Sequence, residues 1–301
     1  MNNRFTLTCI GLALALVLLS GASCSKRGNE IAVLPDLKPV NVLISENKLD
    51  EAREKIGEIA AKFPDSVIVG KGYFNLAEAY EKKKEPVKAR DAYQVIFSKY
   101  QNIDNIVEVQ EKVAILNIAI LFSPLVTDRD VFYEVEPGDT LSKIARRFGT
   151  TVDLIKISNS LKDDMIKTRA KLKISKAQYK ILIDKSQNLL TLFFDDGKIL
   201  KAYSVSTGKN NSTPVGIFMV VNKMNDPVWY TQGAIVPAES PDNILGSRWL
   251  GLSVKGYGIH GTTEPDTVGQ QVTAGCIRML NSDVEELYAM IPIGTEVTVV
   301  D

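Results

Sequence analysis

The spacing of apolar residues changes from a helical period to a strand period along this chain, and no single-layer domain accommodates both. From about residue 41 to residue 123 the pattern is helical: Leu49, Ala52, Ile56, Ile59 and Phe63 recur at three- and four-residue steps. Further runs carry Tyr73, Leu76, Ala77 and Tyr80, then Ala89, Ala92, Tyr93, Ile96 and Phe97, then the stretch Ile103 to Phe122. Pro64, Pro86 and Pro124 punctuate them, because proline cannot continue a helix from within. From Tyr179 onward the period is two. Leu189–Phe194 and Ile199–Val205 flank Asp195-Asp196-Gly197-Lys198, a hairpin signal, and Gly216–Val221 and Thr295–Val300 also read as strands. Ser282-x-x-Glu285 predicts a capping box opening one late helix. The expected fold class is therefore multidomain α and β: a helical repeat segment over 41–125, a small βααβ module over 131–175, and a mostly-β sandwich or barrel over 177–301.

Charge and rare residues narrow the function. Lys plus Arg number 36 and Asp plus Glu number 36, and this balance argues against a nucleic-acid partner, which needs a basic surplus. One histidine, His260, and three cysteines, Cys9, Cys24 and Cys276, are too few for a disulfide framework or a His-rich metal site. No metal and no organic cofactor is implied.

The first residues read as an address. Arg4 precedes an apolar run from Leu7 to Leu19, followed by Ser20-Gly21-Ala22-Ser23. A basic start, a short apolar core and a small-residue exit predict a signal peptide over 1–23. Residues 24–40, with Gly28, Pro35 and Pro39, read as a linker. Cys24 stands where bacterial lipoprotein signals place their acylated cysteine, and the segment resembles them, although Gly21 replaces the usual leucine. That resemblance implies lipidation at Cys24 and a membrane partner through the lipid anchor. The expected location is then the cell envelope, and Ser25, where aspartate is absent, points to the periplasmic face of the outer membrane. The alternative is cleavage nearby that leaves Cys24 as a free thiol.

Tyr73-x-x-Leu76-Ala77-x-x-Tyr80 followed by Ala89-x-x-x-Tyr93 resembles a tetratricopeptide repeat. Two readings stand for this segment: a docking surface for a protein partner, or a helical spacer. In the next module Val131–Val135 alternates, Glu136-Pro137-Gly138-Asp139 is a turn, and Asp139 or Thr140, then Thr150 or Thr151, can cap two helices separated by Gly149. Tyr133-x-Val135-x-Pro137-Gly138-Asp139-Thr140-Leu141-x-x-Ile144-Ala145, then Phe148-Gly149-Thr150-Thr151, Asn159-x-Leu161 and Leu172-x-Ile174 closely resemble the LysM family. The resemblance implies binding to N-acetylglucosamine glycans, chiefly peptidoglycan. Thr168-Arg169-Ala170 replaces the family's Pro-Gly-Gln before the last strand.

The strand-rich segment holds the reactive pair. His260 lies in Gly258-Ile259-His260-Gly261, and Cys276, sixteen positions later, lies in Thr273-Ala274-Gly275-Cys276-Ile277-Arg278. A thiol nucleophile needs a partner for its proton, and an imidazole can take that proton and later return it to a leaving amine. Glycines beside the sulfur allow tight turns and let backbone N–H groups face a developing oxyanion. Taken alone, the residues leave two readings open: a catalytic pair, or a buried small hydrophobe and a satisfied core histidine. The region is similar to the YkuD-type L,D-transpeptidase catalytic domain, whose signature is His-Gly, a spacer, then Ser/Thr-x-Gly-Cys-Ile/Val-Arg. Thr213-Pro214-Val215-Gly216-Ile217-Phe218 and Leu245–Leu252 match further segments of that family.

That resemblance implies that Cys276 attacks a stem-peptide carbonyl at meso-diaminopimelate, that D-alanine leaves, and that an amine of a second stem takes the acyl group in a 3→3 cross-link. It implies His260 as base and acid, Gly261 as its orienter, and the backbone around Gly275 as oxyanion hole. Arg278, Thr273, Trp229 and Tyr230 are the expected substrate-binding residues, with a structural ion pair that braces the loop as the alternative for Arg278, while Trp249 reads first as core packing. Position 274 is Ala, so His260 is the sole candidate base. The peptidoglycan partner would be both stem peptide and glycan. The rival readings are a non-enzymatic wall-binding scaffold, or a related enzyme that attaches a lipoprotein or a D-amino acid to the wall.

Overall fold

The computed structural model describes residues 35–231 and 233–301. The expected signal peptide, Cys24 and linker residues up to 34 lie outside the described residues. Two compact units divide the chain between Lys112 and Val113.

The first unit is helical, as its period predicts. Its helices are α1 (Lys38–Ser45), α2 (Leu49–Lys62), α3 (Val67–Lys82), α4 (Pro86–Lys99) and the first half of α5 (Ile106–Leu121). Helix α1 begins inside the segment read as linker, because Pro39 falls in its first turn, where a missing N–H costs nothing. Pro86 opens α4 in the same way. Ser66 caps α3 by accepting from the Ile68 N–H. Ala52, Ile56, Leu76, Ala77, Tyr80, Ala89, Tyr93 and Ile96 are buried, as their spacing requires. A Cβ at Gly70 would lie 2.8 Å from Ile103 and 2.9 Å from Tyr100, so only glycine admits that packing.

The second unit opens with the remainder of α5 and continues through the small module: β1 (Asp130–Glu134), α6 (Leu141–Phe148), α7 (Val152–Ser158) and β2 (Lys171–Ser175). The strands pair antiparallel, Val131 opposite Ile174 and Tyr133 opposite Leu172. Thr140 and Thr151 cap the helices by accepting from the Lys143 and Leu154 N–H groups, and Gly149 at φ 66 ends α6. Arg169, which replaces the family's glycine in the last turn, adopts φ 68 and still donates its N–H to Val135 O at 2.8 Å. The departure in sequence leaves the turn closed.

The strands that follow are β3 (Tyr179–Asp184), β4 (Leu189–Phe194), β5 (Ile199–Ser204), β6 (Thr207–Gly208), β7 (Gly216–Asn225), β8 (Trp229–Thr231), β9 (Ala234–Val236), β10 (Arg248–Leu252), β11 (Gly258–His260), β12 (Gln271–Thr273), β13 (Ile277–Arg278) and β14 (Glu296–Val300). Eight form one sheet in the order β13-β11-β10-β7-β14-β3-β4-β5, while β6–β12 and β8–β9 are separate two-stranded ladders. One face buries Ile181, Ile183, Leu190, Leu192, Val220, Leu250, Ile259, Ile277, Val297 and Val299 against helix α8 (Asn281–Met290), which contributes Val284, Leu287 and Met290. The domain is mostly β, as expected. The capping box is not formed: α8 starts at Asn281, its N-cap Leu280 has no side-chain cap, and Ser282 already lies within the helix.

The small module is not a bead on a string. Leu154 of α7 belongs to the core of the large sheet, and the Thr151 hydroxyl donates to the Ala289 carbonyl of α8. Lys173 of β2 is fully buried. Its Nζ donates to Ile120 O and Ser123 O, each at 2.9 Å, and to Leu121 O at 3.3 Å, satisfying carbonyls at the end of α5. It also lies 3.7 Å from the Asp130 carboxylate. Burial pulls the Lys173 pKa down, against the opposing pull of Asp130. Removing the ammonium leaves the buried Asp130 carboxylate without its counter-charge, although Thr127 still donates to it, and takes a donor from three carbonyls. Lys173→Met is therefore expected to lower unfolding stability by about 3–5 kcal/mol, read as a shifted urea midpoint; an unchanged midpoint would contradict this account.

Candidate active site

Strands β11 and β13 run parallel, with Ile259 opposite Ile277 and His260 opposite Arg278. Both isoleucines are fully buried in the sheet core. Successive side chains on a strand point to opposite faces, so the residues flanking the isoleucines turn to the other face. His260 and Arg278 lie there together, and so does Cys276, the residue immediately before β13. Neighbouring strands are about 4.8 Å apart, so two segments sixteen positions apart in sequence become adjacent.

Each reactive group is held by backbone. His260 Nδ1 is 2.7 Å from Gly261 O. A carbonyl only accepts, so Nδ1 carries the proton and Nε2 keeps its lone pair. The Trp249 ring stacks on the imidazole, with centroids 5.9 Å apart and planes 20° from parallel, and its Nε1 donates to Asn222 Oδ1 at 3.1 Å. Trp249 is half-buried beside the site, so the reading of it as core packing is corrected: β10 alternates, and Leu250 and Leu252, not Trp249, enter the core. Cys276 is partly exposed, and its Sγ lies 3.5 Å from Gly256 O.

Two threonine hydroxyls shape the loop that carries the sulfur. Thr213 Oγ1 accepts from Gly208 N at 2.8 Å and donates to Gly275 O at 2.8 Å. Thr273 Oγ1 accepts from Gly275 N at 3.1 Å and donates to Cys276 O at 2.7 Å. Gly275 sits at φ 139, and a Cβ there would lie 2.7 Å from the Tyr257 ring; both facts require glycine. Thr273, expected at the substrate, thus turns its hydroxyl into the loop. Arg278 is buried, and its Nη1 donates to Glu264 Oε2 at 2.7 Å and Thr267 Oγ1 at 2.8 Å; its buried Nε has no partner. Trp229 and Tyr230 lie on the separate β8–β9 hairpin rather than on the sheet that carries His260 and Cys276, with Tyr230 73% exposed. Sequence reasoning passed over this hairpin, the ties of Thr213, and the contacts of Asn222 and Glu264. Their partners are distant along the chain, and no periodicity announces them. Among the described residues, no three His, Cys, Asp or Glu side chains gather as a metal would require.

Burial dominates the electrostatics. It pulls the His260 pKa down to about 4; hydrogen bonding to Gly261 and Leu245 opposes this, and the Arg278 charge adds to it. Burial pushes the Cys276 thiol up, with backbone hydrogen bonding from Gly258 acting the other way. At neutral pH the imidazole is therefore uncharged, and the thiol is held in its uncharged form.

A hydrogen-bonded imidazole on β11 and a partly exposed thiol on the glycine turn just before the paired β13 are an arrangement suited to thiol acyl transfer. Comparison with known proteins gives the family. Residues 178–299 match the YkuD L,D-transpeptidase catalytic domain, and residues 133–175 match the LysM domain. The chain is 42% identical over 127 residues to YqjB of Bacillus subtilis, named as an L,D-transpeptidase, covering 40% of this chain and 70% of that protein. It is 33% identical over 177 residues to YkuD of Bacillus licheniformis, also named as an L,D-transpeptidase, covering 56% and 98%, and 33% identical over 174 residues to YkuD of Bacillus subtilis, covering 56% and 97%. The chain belongs to the L,D-transpeptidase family: it is an enzyme of the cysteine-nucleophile acyltransferase class and carries a LysM peptidoglycan-binding module.

The neutral resting pair makes a prediction. The reactive protonation state, one proton shared by the two groups, persists from above the His260 pKa of about 4 up to the raised thiol value. Acylation of the protein by a carbapenem should therefore stay level, within about twofold, from pH 6 to pH 8, and fall about tenfold per unit only once His260 is protonated. Rates followed by intact-protein mass spectrometry check this. A rise of about tenfold per unit between pH 6 and 8 would mark a thiol that must ionise to solvent first, contrary to the expected transfer to His260.

Proposed function

We propose that the protein is a peptidoglycan L,D-transpeptidase that forms 3→3 cross-links between stem peptides, with Cys276 as nucleophile and His260 as base and acid. The observation that carries this reading is the parallel pairing of β11 with β13, which sets both groups on one face. Cys276 Sγ attacks the stem carbonyl at meso-diaminopimelate while its proton passes to His260 Nε2. The C–N bond to D-alanine breaks, His260 returns the proton to the leaving amine, and a thioester remains. An amine of a second stem then attacks, His260 takes its proton, and the C–S bond breaks to restore the thiol. The Cys276 N–H is the proposed oxyanion donor, because the Gly275 N–H is already engaged by Thr273. Arg278, buried and paired with Glu264 and Thr267, braces the loop that carries Cys276 and lends its positive charge to the site rather than a free donor. Trp229 and Tyr230, apolar and partly exposed, supply the proposed wall of the groove.

The remaining modules suit an enzyme working at the wall. The residues before Ser25 support export and lipidation of Cys24, hence an envelope location with the acyl chains in a membrane. The helices of the first unit, with Tyr73, Leu76, Ala77, Tyr80, Ala89 and Tyr93 at repeat spacing, support a tetratricopeptide-like surface for a protein partner.

Muropeptide profiles test the acceptor. Incubating tetrapeptide-rich sacculi with the protein is expected to produce 3→3 dimers with release of D-alanine, and Cys276→Ala should reduce both to background. A covalent carbapenem adduct on Cys276, absent from Cys276→Ala, is expected alongside. Glycan binding with neither adduct nor dimer would favour the wall-binding scaffold. An adduct without dimers would redirect the reading to another acceptor, such as a lipoprotein or a free D-amino acid.

A further inference from the structure

We infer that Asn281, at the first position of α8, is a positioning residue for the His260 imidazole; this rests on the proposed role of His260 as the base. Its Oδ1 accepts from the Ser247 N–H at 3.1 Å and the Thr262 N–H at 3.0 Å, and its Nδ2 donates to Thr262 O at 2.9 Å. Two N–H donors on one side and a carbonyl on the other admit only this orientation of the amide. Thr262 follows Gly261, whose carbonyl holds His260 Nδ1 at 2.7 Å. Ser247 lies two residues after Leu245, the other backbone group that acts on the imidazole. One side-chain amide thus pins both segments that orient the ring.

Two independent features agree. Asn281 is one residue past the N-cap Leu280, so capping its own helix is not its task. Here the amide is spent on the distant loop, and α8 begins with no side-chain cap. The loop is also shaped around it: a Cβ built at either Gly246 or Gly261 would strike Asn281 Oδ1, and Gly246 adopts φ 64. Both glycines make room for the same oxygen. Two of the three hydrogen bonds of the amide, those to Thr262, are part-buried and act on the residue next to Gly261.

His260 is the only histidine in the sequence, so its ring nitrogens can be followed in the full-length protein by ¹H–¹⁵N NMR without overlap. The wild type is expected to show the tautomer protonated at Nδ1, with a slowly exchanging Nδ1 proton. Asn281→Ala should lose that protection and slow the saturating acylation rate with a carbapenem by about tenfold or more. The carbapenem concentration giving half the maximal rate should change by no more than about twofold, since binding does not use the base. Asn281→Asp keeps the size and the acceptor, loses the donor to Thr262, and should fall between the two; it decides the matter if Asn281→Ala does not fold. A folded variant whose imidazole spectrum and saturating rate both match the wild type overturns the inference. If the wild type itself takes no adduct at Cys276, the transpeptidase reading fails, and the His260 spectrum alone still decides the role of Asn281.

Discussion

The burial of Ile259 against Ile277 in a parallel strand pair is the constraint on which the site depends. Strand side chains alternate, so a slip of one residue would drive His260 and Arg278 into the hydrocarbon core and the isoleucines among the polar groups of the other face. Burying each isoleucine is worth roughly 1.5–3 kcal/mol, while the cost of burying an unpaired charge is larger. The register is therefore fixed by apolar residues that take no part in the chemistry. Everything reactive on these strands inherits its direction from them. Strand β10 extends the same logic, placing Leu250 in the core opposite Lys223 and presenting Trp249 to the ring of His260.

Once register is set, the local devices refine it with neutral groups. Two threonine hydroxyls, one asparagine amide and several carbonyls orient the pair, and the nearest full charge, Arg278, is already matched by Glu264. This choice has an electrostatic consequence. With no carboxylate on the imidazole, burial pulls its pKa down to about 4, and with no cation on the sulfur, burial pushes the thiol up. No ion pair involves His260 or Cys276 themselves, and the Arg278–Glu264 pair lies beside them.

The elements that were legible in the sequence were those whose causes are local. Thr140, Thr151 and Gly149 announce the caps and the break of the LysM helices, and Asp195-Asp196-Gly197-Lys198 announces the β4–β5 hairpin. The pairing of His260 with Cys276 was legible only through a linked set of motifs, since spacing alone left a core histidine and a buried thiol equally open. The capping box at Ser282 was misread because the residue before it, Asn281, had a competing use across the fold. Lys173 gave no sign of being buried: a lysine in an alternating strand reads as a solvated face, and only the end of α5 supplies the carbonyls that admit it. The β8–β9 hairpin was missed because three-residue strands carry too little alternation to detect.

The same helix that organises the loop also joins the two modules of the second unit. Ten residues of α8 span about 15 Å. Its first residue holds the His260 loop, and near its other end the Ala289 carbonyl accepts from Thr151 at the start of α7. Leu154, one turn into α7, is buried in the same core as Ile259 and Ile277, and Arg129, just before β1, lies 4.1 Å over the Phe194 ring and pairs with Asp196. A flexible tether would raise the local concentration of substrate but leave its approach undefined. Here the small module keeps its own apolar core and is joined to the catalytic sheet through Leu154, the Thr151–Ala289 hydrogen bond and Arg129, so no free tether separates the two.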